Sequence, residues 1–231
     1  MKPRTVAIVQ ARMGSARFPG KMLANLGGYP LLEWVLRRVS RASLLDETVL
    51  ATSTKPQDDA LAAVAKTIGI RTFRGDESDV LGRFVMTANM SDAEQVVRIC
   101  ADNPFVDPDE IDRLITFFQD NACDYACNHM DRLGSRYADG FGAEILSSAL
   151  LQKIAAIATN PKHREHVTLY LWDHTADYCM LAVPAPEDIA FPKMRFDIDV
   201  PADLDFLEHL TFKKINLNTP ARQIIQLKLA R

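Results

Sequence analysis

Cysteine is scarce and unpatterned in this chain: four residues in 231, Cys100, Cys123, Cys127 and Cys179, with no Cys-x-x-Cys spacing. That excludes a small disulfide-built domain and a cysteine-ligated structural zinc. The apolar neighbours of the four thiols read instead as buried positions in a reducing compartment. No apolar run approaches the roughly eighteen residues of a membrane span, and no signal-type apolar core follows Met1-Lys2-Pro3-Arg4. The expected location is therefore cytoplasmic, with no membrane partner. A large excess of one charge sign is missing too, since a formal net charge of −3 gives no global attraction to nucleic acid or to anionic lipid. Any anion this chain binds has to be held locally. Internal repeats and low-complexity tracts are also lacking, which removes solenoid and disordered readings. What is present is an ordinary globular composition, 48% hydrophobic and 25% charged, in a length suited to one α/β domain carrying a modest insertion.

The densest candidate for a local anion site is Gln-Ala-Arg-Met-Gly-Ser-Ala-Arg-Phe-Pro-Gly-Lys, residues 10 to 21. It lies between an apolar run, Thr5 to Val9, and an amphipathic segment beginning at Pro30. Strand, basic glycine loop and helix make the pattern of a nucleotide site. Gly14 and Gly20 allow backbone conformations closed to other residues and let main-chain N–H groups approach an anion. Arg12, Arg17 and Lys21 add full charges suited to phosphate oxygens. Two commoner phosphate loops are excluded by spacing. Five residues rather than four separate Gly14 from Gly20, and Met22 stands where a Walker loop has Ser or Thr for magnesium. The Gly-x-Gly-x-x-Gly of dinucleotide folds is absent. A solvated loop with incidental charges is the alternative left open.

Downstream, Leu31, Leu32, Val35, Leu36 and Val39 recur at helical spacing after Pro30, and Arg37, Arg38 and Arg41 read as the solvated face. Strand-like runs at Thr48 to Ser53 and Ile70 to Phe73 flank a helix over Asp58 to Ile68 closed by Gly69. This predicts βαβαβ with parallel strands and right-handed crossovers. Ser78 is the expected N-cap of a helix towards Met90. Gln95 to Cys100 is an apolar strand, and Asp107 to Asp120 a helix with Pro108 in its first turn. From Asp124 the pattern changes to short strands at Asp124 to Asn128, Ala143 to Leu146 and Tyr178 to Val183, with helices at Ser147 to Ala158 and Pro161 to Trp172. Residues 128–192 are expected to elaborate a single domain spanning 1–231, as a lid, substrate pocket or dimer arm. Arg195 to Pro201 reads as a strand with Asp197 and Asp199 on one face. Helices from Pro201 and over Thr219 to Leu229 close the chain.

Asp102 stands just past the Gln95–Cys100 strand, at the sheet edge where open parallel sheets bind ligands, and so on the same rim as the basic loop. With Asp197 and Asp199 it offers the carboxylates that magnesium takes together with phosphate oxygens and water. A phosphate loop and acids for magnesium compose a phosphoryl or nucleotidyl transfer site. Spacing alone also permits a turn role for Asp102 and capping roles for Asp197 and Asp199.

These ordered segments carry a resemblance. Residues 10 to 21 are similar to the N-terminal fingerprint of the sugar-acid cytidylyltransferases, the group of the CMP-acylneuraminate and CMP-KDO synthetases. The likeness is greatest to the branch called spore-coat polysaccharide biosynthesis protein F. Further matches follow in order: Gly75 to Arg83, Val97 to Pro104, Arg164-Glu165-His166-Val167-Thr168, and Asp197 to Leu204. The resemblance implies a Rossmann-like α/β nucleotidyltransferase fold, with a mostly parallel central sheet, helices on both faces, an inserted α+β elaboration and a homodimer. It implies that Arg12 and Lys21 hold the CTP phosphates beside Gln10, Ala11, Gly14 and Ser15, with Arg17 assisting. Asp79, Arg83 and Arg98 would lie near the nucleotide. Asp102 and Asp199, and less regularly Asp197, would bind Mg2+, and Glu144 and His166 would contact the sugar. Catalytic roles fall to Arg12, Lys21 and Asp102.

One segment departs from the resemblance. Where it leads to Pro-Asp-Gly-Leu-Asp-Val-Glu, this chain has Ala138-Asp139-Gly140-Phe141-Gly142-Ala143-Glu144, without the carboxylate at a presumed sugar-facing position. His163 and His166, three apart on the expected helix, have a metal-like spacing but no completing ligand. The activity expected is transfer of CMP from CTP to an acidic sugar, a 3-deoxy-2-keto sugar acid, with release of pyrophosphate, for surface polysaccharide biosynthesis. A glycosyltransferase using a preformed nucleotide sugar, and a nucleotide-binding protein without catalysis, are the alternatives.

Overall fold

In the computed structural model, which describes residues 2–211 and 215–230, the Thr5–Val9 run lies in the middle of a seven-stranded sheet. Val6 and Ile8 are buried in one helical layer, and Ala7 and Val9 in the other. A side-chain period of two makes a continuous apolar run necessary for a strand covered on both faces.

The chain begins with β1 (Thr5–Gln10), a small hairpin of β2 (Asn25–Leu26) and β3 (Tyr29–Pro30), and α1 (Leu31–Val39). There follow β4 (Glu47–Ser53), α2 (Asp59–Thr67), β5 (Arg71–Gly75), α3 (Val80–Met90), β6 (Gln95–Cys100) and α4 (Pro108–Asp120). The remainder supplies β7 (Tyr125–Cys127), β8 (Glu144–Ser147), α5 (Ser148–Ile157), α6 (Pro161–Glu165), α7 (Leu169–Asp173), β9 (Met180–Ala182), α8 (Pro201–Thr211) and α9 (Ala221–Leu229). The sheet order is β5-β4-β1-β6-β8-β7-β9. Only β8 runs against its neighbours; the other pairings in this sheet are parallel.

Leu32 of α1, Leu61 of α2, Ile111 of α4, Leu207 of α8 and Ile224 of α9 fill one core, and Phe84 of α3, Leu151 of α5 and Leu171 of α7 fill the other. Each is fully buried, worth about 1.5–3 kcal/mol apiece in area removed from water. This is the Rossmann-like α/β architecture that the sequence predicts. Residues 128–192 are not all peripheral to it, because β8 and β9 are strands of the central sheet and β8 pairs with β6 from Gln95↔Ser147 to Arg98↔Glu144.

Several local expectations are corrected. Arg38 does not face solvent: it is 1% exposed and donates to the carbonyls of Val106, Leu217 and Thr219 at 2.7, 3.0 and 2.9 Å. It thereby pins the approach to α9 against the start of α4, and burial lowers its pKa to about 10. The cap of α3 is Asp79, not Ser78, whose hydroxyl donates to Asp76 instead. The helix expected over Pro161 to Trp172 breaks at His166, which adopts φ −109° and ψ 96°. That extended turn lets Val167 enter the core and Thr168 reach Glu144, and it takes His166 off the helix that carries His163. Arg195 to Ile198 joins no strand ladder, Asp199 and Val200 form a bend, and Pro201 already belongs to α8; a single bridge links Asp139 to Arg195. Its amides bond to neighbouring loops, Phe196 to the Asp139 carbonyl at 3.0 Å and Ile198 to the Asp102 carbonyl at 2.9 Å. Alternation survives, with Phe196 and Ile198 in the core and Asp197 and Asp199 turned into a cavity. Among the thiols, Cys127 is buried, Cys100 and Cys123 are half-buried, and Cys179 is exposed, against the reading that all four are buried.

Candidate functional site

Parallel pairing of β1 with β6 sets Gln10 opposite Cys100, and Ala101 donates back to the Gln10 carbonyl at 3.2 Å. The two strands therefore end together, and the loops leaving them share one rim. The 10–21 loop is tied down from beneath by Asp58, a fully buried carboxylate that accepts from the Met13 amide at 2.8 Å and from the Ser53 hydroxyl. Ser15 Oγ accepts from the Phe18 amide at 3.2 Å. Gly20 has φ +74°, a conformation that favours glycine. Gly14 has no such φ, and a Cβ there would meet only side-chain ends, 3.3 Å from Glu77 Oε1.

Gln10, Ala11, Arg12, Gly14, Ser15, Arg17 and Lys21 line a cavity of about 330 Å³, closed on its far side by Cys100, Asp102 and His166. Those last three also line a second, larger cavity of about 910 Å³ that contains Asp139, Glu144, Asp197 and Asp199. The site thus has two chambers with a common wall at Asp102. Lys21, buried to 11% exposure of its side chain, has its ammonium 3.5 Å from Asp102 Oδ2 and 4.0 Å from Asp199 Oδ1, and donates to the Ile198 carbonyl at 2.6 Å. Arg17 grips Asp199 through two N–H bonds of 3.0 and 2.9 Å. Arg12 donates to Glu165 at 2.8 Å, and Arg195 to Asp197 at 3.0 and 2.5 Å.

The floor of the larger chamber is a buried polar network around Glu144, which is 2% exposed. Its carboxylate accepts from Arg98, from Tyr125 Oη at 2.7 Å and from Thr168 Oγ1 at 3.2 Å. Burial alone would raise this carboxyl, but the charge of Arg98 and the hydrogen bonds from Tyr125 and Arg98 bring it down to about 2. His129 lies beside it, its pKa lowered by burial to about 4 and hence neutral at pH 7, with Nδ1 unpartnered among the described residues. Arg132 lies over the Trp172 ring at 4.4 Å and, with Lys162, puts cationic groups on the chamber wall.

The sequence-derived candidates divide by place. Gln10, Ala11, Arg12, Gly14, Ser15, Arg17, Lys21, Asp102 and His166 come together in the loop chamber, and Asp197, Asp199, Glu144 and Arg98 in the larger one. Arg98 is thus a partner of Glu144, away from the loop. Asp79 lines neither chamber: one oxygen caps α3 by accepting from Gly82 at 2.9 Å, and the other pairs with Arg164 at 2.6 Å. Arg83 is 2% exposed and donates to the Asp76 carbonyl at 2.6 Å, so it is no surface charge. Desolvation, and next the charge of Arg12, lower its pKa.

Position 142 has no room for the expected carboxylate. A Cβ there would lie 2.2 Å from the Asn128 carbonyl oxygen, and Asn128 Oδ1 accepts from Ala143 at 2.9 Å. The segment faces Asn128 at this point, so Gly142 is a packing requirement. Ala138 likewise uses an N–H that proline lacks, donating to the Ile189 carbonyl at 3.3 Å. Sequence reasoning missed Asp58, Asp139, His129, Arg132 and Glu165. Asp139 and Glu165 lie inside segments the resemblance singles out; Asp58 and His129 carry no local signal.

A divalent cation suits the acid group. Asp102, Asp139, Asp197 and Asp199 face the same space with hard oxygen donors, and burial together with mutual repulsion raises two of them, Asp102 and Asp139, the latter to about 7. Among the described residues no group of three His, Cys, Asp or Glu side chains is arranged to hold a metal ion by itself.

Comparison with known proteins identifies a family and a fold. The sequence profile of the family described as Cytidylyltransferase matches residues 6–225. The chain is 38% identical over 208 residues to spore coat polysaccharide biosynthesis protein SpsF of Bacillus subtilis, covering 88% of this chain and 84% of that one. It is 34% identical over 120 residues to a 3-deoxy-manno-octulosonate cytidylyltransferase of Bdellovibrio bacteriovorus, covering 51% and 47%. A solved cytidylyltransferase from Leptospira borgpetersenii superposes with a TM-score of 0.89 at 26% identity, covering 97% of this chain and 93% of that one. Among the described residues no helix is long and apolar enough to cross a membrane.

Proposed function

The chain belongs to the cytidylyltransferase family, and from that premise we propose that it transfers CMP from CTP to an acidic sugar of the 3-deoxy-2-keto class, releasing pyrophosphate for surface polysaccharide synthesis. The observation that carries this reading is the pair of chambers meeting at Asp102, one lined by the cationic loop and the other large enough for a sugar. Arg12, Arg17 and Lys21 would take the triphosphate, and Gln10 and Ala11 lie where β1 opens into the same cavity. Arg132 and Lys162 supply positive charge suited to the carboxylate of the acceptor. The anomeric hydroxyl, giving up its proton to solvent, attacks the α-phosphorus from the larger chamber, the bond to the bridging oxygen breaks, and pyrophosphate leaves towards the loop cations. Positioning and charge neutralisation are the protein's main contributions, and the reaction needs no covalent intermediate.

Asp102 and Asp199 would hold the divalent cation, magnesium in this reading, which when bound supplies Lewis acidity at the phosphate oxygens. Within the protein Lys21 stands between these two carboxylates and offsets part of their charge. The relatives named for polysaccharide synthesis and for 3-deoxy-manno-octulosonate support the sugar class.

The test is pyrophosphate release with each of the four NTPs against a panel of 3-deoxy-2-keto sugar acids. Release with CTP and at least one such acid is the expected result. Turnover with neutral sugars only would refute the acceptor class, and binding of CTP with no turnover across the panel would refute the activity.

A further inference from the structure

The cations of the loop are already satisfied by the protein's own carboxylates. Arg12 donates to Glu165 at 2.8 Å, and Arg17 holds Asp199 in a two-point contact. Arg12 lines the loop chamber and Glu165 the larger one, so this pair stands where the chambers meet. The residues around Glu165 are committed elsewhere. Arg164 pairs with Asp79 at 2.6 Å and donates to the Ala155 carbonyl at 2.7 Å, while Thr168 reaches Glu144. Glu165 bonds across to the loop, and His166 beside it lines the loop chamber.

The pair is open to exchange. The Arg12 and Glu165 side chains are 35% and 43% exposed, and ion pairs at that exposure contribute little to stability. A phosphate oxygen offers Arg12 the same kind of charge-assisted contact as the one Glu165 oxygen it now holds, so a polyphosphate entering the chamber competes with Glu165.

Building on the nucleotide reading above, we infer that Glu165 is a stand-in anion for the substrate's phosphates, weakening ground-state binding at Arg12 and retaking Arg12 as pyrophosphate departs. Glu165 acts through Arg12 and is a positioning residue rather than a catalytic one. Every ligand that uses Arg12 pays the same displacement cost, so substrate and pyrophosphate are weakened by a common factor. Release of pyrophosphate is assisted because the site is never left with an unpaired Arg12.

Isothermal titration of CTP and of pyrophosphate into wild type, Glu165→Gln and Glu165→Ala, without sugar, tests this. Both variants should bind pyrophosphate roughly two- to fivefold more tightly than wild type, the range expected for losing an exposed ion pair from the free protein. CTP should tighten by a similar factor, and both gains should shrink at raised ionic strength as screening weakens the pair. Melting temperatures within a few degrees of wild type would establish that the variants are folded. Unchanged or weaker pyrophosphate binding in folded variants would overturn the inference, whatever CTP does. If wild type binds pyrophosphate but not CTP, the nucleotide reading fails, and tighter pyrophosphate binding in the variants still supports the exchange at Arg12.

Discussion

Glu144→Gln should destabilise the protein severely, because the substitution keeps the shape and removes the only charge that faces Arg98, whose side chain is 14% exposed, in an ion pair among the described residues. Two lines of reasoning give the size. Displacement of the Glu144 carboxyl from its ordinary 4.5 to about 2, at about 1.36 kcal/mol per pH unit, corresponds to about 3 kcal/mol. Removing one partner of a buried pair costs about 3–5 kcal/mol in general, since the other charge is left uncompensated. With a side chain only 3% exposed, screening takes little from either figure. For a chain of this length the melting temperature should fall by roughly 6–20 °C. The pH dependence is the sharper test. The folded pKa lies below the unfolded one, so the stabilisation is complete above about pH 4.5 and is lost as pH falls towards 2. Urea unfolding of wild type and variant should therefore differ by about 3 kcal/mol or more at pH 7, and the gap should close on acidification below pH 4.5. A loss under about 1 kcal/mol, or a gap constant from pH 7 to pH 3, would refute the assignment of Glu144 as the charged centre of this network.

Three further outcomes are expected. Asp102→Asn should nearly abolish turnover with circular dichroism unchanged, because it removes a carboxylate from the wall both chambers share; normal magnesium-dependent activity would count against the metal role. Lys21→Ala should weaken CTP binding by roughly tenfold or more, the scale of a charge-assisted contact, with a smaller effect on sugar, as measured by calorimetry; equal CTP affinity would argue against the phosphate loop. Gly142→Asp should lower stability by about 2 kcal/mol or more through overpacking against Asn128 and give no gain in sugar affinity. A stable variant with tighter acceptor binding would mean that position 142 faces the sugar after all.

The legible parts of this protein were those whose signal is local. The Thr5–Val9 run, the apolar Gln95–Cys100 strand and the helix of Leu31 to Val39 announce a covered parallel sheet through period and composition alone. Once β1 and β6 are parallel neighbours, Asp102 has to share a rim with the 10–21 loop. Alternation also groups Asp197 and Asp199, which line one cavity although their segment forms no strand ladder. Arg38 was misread because helical periodicity reports a face and not what covers it. The covering carbonyls of Leu217 and Thr219 arrive from about 180 residues downstream.

The sequence by itself determined the parallel βαβαβ start of the sheet and the charge that the loop carries, since each rests on neighbours a few residues apart. Only the tertiary structure decided which charges are spent on one another. Glu144 with Arg98, Asp79 with Arg164, Arg12 with Glu165 and Arg17 with Asp199 join residues 46, 85, 153 and 182 apart. Charge pairing depends on distance in space and on burial, neither of which a one-dimensional pattern carries. The steric closure at Gly142 was hidden for the same reason: the atom that forbids a side chain there belongs to Asn128, on another segment brought alongside by the sheet.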